Sequence, residues 1–113
     1  MLLIALGTND ILVARPPWQV RDDILALKTR AEQARPGLRV LVALVPPHFL
    51  AKRDLEGNLG MTNALLRTAL PATQLLDFFT GMGREDVGPD GVHVSPAGQA
   101  KRAEVACRAL GCE

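Results

Sequence analysis

Apolar residues fall along this chain in short unbroken runs separated by longer amphipathic stretches. Leu2 to Leu6 is one run, stopped by Gly7. Leu38 to Val45 is a second, rich in β-branched residues and closed by Pro46-Pro47, and Gln74 to Phe79 is a third. Runs of this length suit strands buried on both faces. After Pro16-Pro17, the residues Val20, Ile24, Leu27, Ala31 and Ala34 recur at spacings of four and three, which predicts one face of a helix ended by Arg35-Pro36-Gly37. Leu59, Leu66 and Ala69 mark a second helix that stops before Pro71. Ala100, Ala103, Cys107 and Leu110 mark a third, with Ser95 as its N-cap, Pro96 at its first position and Gly111 at its end. His48 to Gly57 and the glycine-rich Thr80 to Gly91 read as loops.

Strand and helix alternate three times, which predicts an α/β fold: a small three-layer parallel sheet of three strands with about three helices. The 113 residues make one domain, residues 1–113. A chain of this size buries roughly 65% of its unfolded surface, enough for a core without staples. A three-stranded sheet is thin, and Leu2–Leu6 would lie at its edge with unpaired backbone groups. Such edges recruit other strands, so a homodimer through pairing of Leu2–Leu6 with its symmetry mate is expected. Open α/β sheets bind ligands beyond the carboxyl ends of their strands. That end collects Gly7–Asp10, Pro46–His48 and Phe79–His93.

Composition narrows the function classes. The net charge is +1, Lys and Arg are scattered, and the aromatic residues are Trp18 and three phenylalanines, so neither nucleic acid nor an anionic membrane is an expected partner. No apolar run approaches the roughly 18 residues of a membrane span. Cys107 and Cys112, five residues apart near a helix end, are expected to point apart as free thiols, which places the protein in the reducing cytoplasm. Trp18 and Phe78-Phe79 read as packing residues. Lys52-Arg53-Asp54 and Arg84-Glu85-Asp86 read as solvated loop charges.

Two segments carry candidate chemistry. Leu6-Gly7-Thr8-Asn9-Asp10 follows the first strand, and Asp90-Gly91-Val92-His93 precedes Ser95-Pro96-Ala97-Gly98 at the last helix. In that order they resemble the third and fifth signature blocks of the SGNH, or GDSL, serine hydrolases (esterases and lipases), with similarity running from Met1 to about Leu110. The resemblance implies a flavodoxin-like sheet. It implies that Asn9 donates to an oxyanion, that Gly7 shapes the turn, that His93 is the general base and that Asp90 orients its ring. The family's nucleophile block and its second glycine block are absent, so the chain resembles the C-terminal portion of such a fold. The one serine, Ser95, reads as a helix cap.

The expected activity is hydrolysis of small activated esters, lactones or phosphoesters by His93, Asp90 and Asn9 without the serine. The family implies no cofactor. A second reading is a metal-dependent hydrolase. His48 lies at the same sheet end as Asp10, Asp90 and His93, and two imidazoles with carboxylates suit Zn²⁺ with a bound water. His48 also reads as an ordinary exposed loop residue, and Asp10 as a cap of the following turn. A third reading is a non-catalytic dimerising α/β module, or a fragment of a larger SGNH enzyme.

Overall fold

The computed structural model describes residues 1–50 and 55–112. β1 is Leu2–Ile4, α1 is Thr8–Leu12, α2 is Pro17–Ala34, β2 is Val40–Ala43, α3 is Leu55–Ala69, β3 is Leu75–Leu76 and α4 is Pro96–Leu110. The three strands form one parallel sheet in the order β1-β2-β3, with Leu2 opposite Val40 and Val42 opposite Leu75. The α/β class and the parallel sheet are those the run pattern predicts.

β2 sits in the middle and is buried along its whole length. Alternation along the strand divides its side chains between two layers. Val40, Val42 and Leu44 pack with Ile4, with Val20 and Ile24 of α2 and with Leu66 of α3. Leu41 and Ala43 face the other way and pack with Leu76, Phe78 and the small residues of α4, Val105, Ala106 and Ala109. The result is a helix pair, a sheet and a single helix. A smaller cluster of Ile11, Val45 and Leu59 closes the carboxyl end of the sheet against Phe79.

The strands are shorter than the apolar runs that predict them. β1 stops at Ile4, opposite Val42, and Ala5-Leu6 then leads into α1. The apolar stripe of α2 is also shifted. Leu27 is 46% exposed, whereas Lys28 is buried with its ammonium reaching Glu32 at 2.9 Å. The lysine stem fills the place on the core face. Leu27 instead lies with Leu2 and Leu3 along the free side of β1, where no further strand covers them among the described residues.

Several expectations about single residues are overturned. Trp18 is 57% exposed and anchors nothing. Asp86 is fully buried rather than solvated. Cys107 and Cys112 are joined as a disulfide, with Cα atoms 5.0 Å apart. Gly111 adopts a left-handed conformation, φ 71°, and folds the chain back so that Cys112 N–H donates to Cys107 O at 3.1 Å. That reversal brings together two side chains that a continuing helix would point apart. The argument from free thiols to a reducing compartment therefore loses its ground. Among the described residues no helix is long and apolar enough to cross a membrane. The charges Lys52, Arg53 and Asp54 lie outside the described residues.

Candidate functional site

The site is assembled from two turns at the carboxyl end of the sheet. The first follows β1. Gly7 is buried with φ +122°, and a Cβ there would lie 2.8 Å from Val45 Cγ2. Neither the angle nor the space suits a side chain. Gly7 O accepts from Ile11 N–H at 3.0 Å and so starts α1, which carries Asn9, exposed, in its first turn. Asp10 points elsewhere. Its Oδ1 is 2.6 Å from Arg15 Nη1, and Arg15 reaches Asp23 at the same distance through Nη2. Hydrogen bonds to Asp10 and then Asp23 hold the Arg15 guanidinium pKa above its ordinary value.

The second turn precedes α4. Asp90 Oδ1 accepts from the backbone N–H of Val92 at 2.9 Å and of His93 at 3.0 Å, an Asx-type turn. Its other oxygen, Oδ2, lies 2.5 Å from His93 Nδ1. The loop is closed by Gly88 N–H donating to His93 O at 2.7 Å, and by an antiparallel bridge between Val87 and Val94. Gly91 O accepts from Phe49 N–H at 2.7 Å and ties the loop to the segment after β2. With φ +73° and a would-be Cβ only 2.9 Å from Phe49 O, this position also requires glycine.

Below the loop, α4 is locked to it by groups that the local pattern does not reveal. Ser95 Oγ donates to Glu85 O at 2.8 Å and accepts from Gly98 N–H at 3.2 Å. The serine is thus the helix cap, with its hydroxyl committed on both sides. Asp86 Oδ2 takes Lys101 Nζ at 2.6 Å and Gly83 N–H at 2.8 Å. These two contacts hold its carboxyl below the usual aspartate range, the Gly83 N–H contributing most. Sequence reasoning missed Asp86 because its partner Lys101 is fifteen residues away, on the next helix.

Asn9 and His93 line the same cleft, about 300 Å³, together with Thr8, Val92, Gln99 and Arg102. The imidazole is well solvated, its side chain 87% exposed. With Nδ1 held by Asp90, Nε2 is the nitrogen left to meet a substrate or water. His48 lies elsewhere. It is 3% exposed, so it is not the exposed loop residue expected, and among the described residues neither ring nitrogen has a partner. It lines a separate apolar cavity of about 380 Å³ with Phe49, Leu59 and Phe79. His48, Asp10, Asp90 and His93 are therefore not brought to one point. Among the described residues no group of three or more His, Cys, Asp or Glu side chains is placed to hold an ion.

The hydrogen bond to the His93 ring, followed by the N–H groups of Val92 and His93, lowers the Asp90 pKa from 3.8 to about 2. The folded value lies below the unfolded one, so the turn's contribution is complete above pH 3.8 and is lost as pH falls through about 2. Carboxyl-carbon NMR will place the Asp90 midpoint near pH 2. A midpoint at the ordinary aspartate value would show that the turn is not formed in solution.

No protein-family model matches this sequence, and no curated protein matches it.

Proposed function

We propose that the protein is a hydrolase of small activated esters and lactones in which His93 acts as a general base on water. The observation that carries the reading is that Asn9 and the Asp90-held His93 line one cleft. The resemblance of both turns to SGNH hydrolase blocks supports the same roles. Ser95 is occupied as a cap, so no acyl-enzyme is formed.

In the step proposed, His93 Nε2 takes a proton from water as the water oxygen bonds to the carbonyl carbon. The carbonyl π pair moves to its oxygen, which accepts a hydrogen bond from the Asn9 amide. Collapse restores the carbonyl and breaks the bond to the leaving alkoxide, which receives the proton from His93. Asp90 fixes the ring tautomer and stabilises the imidazolium formed in between. The site is open to water, so the electrostatic terms are weak and the reaction is confined to good leaving groups.

Turnover of p-nitrophenyl acetate and of a small lactone tests this. His93→Ala lowers kcat/KM by about 100-fold, the lower end of what a general base contributes. Asn9→Ala lowers it by about tenfold, less than an enclosed oxyanion donor would. His48→Ala and added chelator leave it unchanged. Equal rates for wild type and His93→Ala would end the reading, and loss of activity with chelator would transfer the chemistry to a metal-bound water.

A further inference from the structure

Arg102 is the feature of the cleft that the hydrolytic roles leave unused. It lies on α4 with its guanidinium over the Phe78 ring, 5.3 Å from the centroid. Its Nε is buried, and among the described residues it has no hydrogen-bond partner and no carboxylate pairs with the guanidinium. Its neighbour Lys101 is engaged by Asp86 and Glu85, and Arg15 is engaged by Asp10 and Asp23. A half-buried cation without a counter-ion is costly, because burial disfavours the charged form. Burial alone lowers its pKa here.

The surroundings give that charge a direction. Arg102 lines the cleft that holds Asn9 and His93, and also an adjoining pocket of about 90 Å³ against Thr8, Leu44 and Phe78. Among the described residues no Asp or Glu side chain lines either one. The polar groups facing the cleft beside His93 are the side chains of Thr8, Asn9 and Gln99, all able to donate. The stacked aromatic ring restricts the guanidinium and leaves its planar fork pre-organised for an oxyanion.

We propose that Arg102 receives a carboxylate carried by the substrate, so that the ester or lactone turned over beside His93 bears one negative charge. A carboxylate fits better than a phosphate dianion. Among the described residues one unpaired cation faces the cleft, and the ionised Asp90 behind His93 would oppose a second negative charge. The word substrate rests on the hydrolytic reading, whereas the anion site itself does not.

Binding separates the two. Succinamate, neutral succinamide and inorganic phosphate are titrated into the folded protein, with amide and side-chain NMR shifts at Arg102, Gln99 and His93 as the readout. Succinamate is expected to bind at least tenfold more tightly than succinamide, with the margin shrinking as salt is raised. The margin disappears in Arg102→Gln and returns in part in Arg102→Lys, which keeps the charge without the fork. Equal affinity of the charged and neutral probes for the wild type overturns the proposal without any variant. Tighter binding of phosphate than of succinamate overturns the carboxylate assignment. A charge preference with turnover indifferent to His93→Ala would leave the anion site standing and remove the hydrolase. Turnover dependent on His93 with no charge preference would do the reverse.

Discussion

Changing Asn63 to alanine will destabilise the protein by about 3 kcal/mol, the cost of leaving two buried backbone groups without partners. Asn63 lies in α3 and is 1% exposed. Its Oδ1 accepts from Val45 N–H at 2.8 Å, and its Nδ2 donates to Val45 O at 2.9 Å. Val45, fully buried, follows β2 at a point where neither neighbouring strand continues. The side-chain amide takes the place of a missing strand residue, supplying one acceptor and one donor in the geometry of a sheet ladder. Aspartate would keep the acceptor but lose the donor, and would set a buried carboxylate against a carbonyl oxygen. Asn63→Asp is therefore expected to be at least as damaging as alanine. Urea denaturation reads this directly as a lower midpoint with an unchanged slope. A loss below about 1 kcal/mol would show that Val45 finds other partners. Pro46, next along the chain, lines the cleft, so slackening here reaches the site as well.

Gly98→Ala is the second large effect, and its sign is the informative part. In the first turns of a helix, alanine for glycine ordinarily stabilises by about 1 kcal/mol. Here a Cβ would stand 3.0 Å from the carbonyl carbon of Asp86 and closer still to its oxygen. That oxygen is itself the acceptor for Ser95 N–H at 2.9 Å. Backbone cannot yield as a flexible side chain would, so α4 has to move away from the loop. The movement strains the Ser95 cap and the Lys101–Asp86 ion pair together. Overpacking of this kind costs about 3 kcal/mol, well beyond the propensity gain. Thermal unfolding will show a lower Tm. A raised Tm would mean that the loop and the helix are not in the contact described. The proposed hydrolytic turnover should fall with it, because the same loop carries His93.

Sequence pattern made the central architecture readable for a specific reason. A strand buried on both faces must be apolar throughout, and Val40 to Val45 has no alternative. The Ser95-Pro96 start and Gly111 end of α4 were equally plain, since capping chemistry is local. What escaped was non-local. α1 spans Thr8–Leu12, too short for any periodicity to register. Asn63 and Asp86 look like ordinary polar residues until Val45 and Lys101 are brought beside them. Leu27 belongs to the apolar stripe by spacing, yet no layer covers it among the described residues. For the candidate site, the Asn9 and Asp90–His93 turns were legible as motifs. Arg102 was not, because its significance lies in a missing partner, and no run of residues announces one.

The free side of β1 has a practical consequence. Leu2 and Leu3 are 39% and 40% exposed beside Leu27, with β2 as the strand's sole partner among the described residues. A purification tag joined at Met1 enters the molecule along this flank. An extended, β-branched tag would dock in register beside it, masking the leucines and adding order that belongs to the tag. A proline-bearing or lysine-rich leader has no such affinity for the flank and would leave the native behaviour in view.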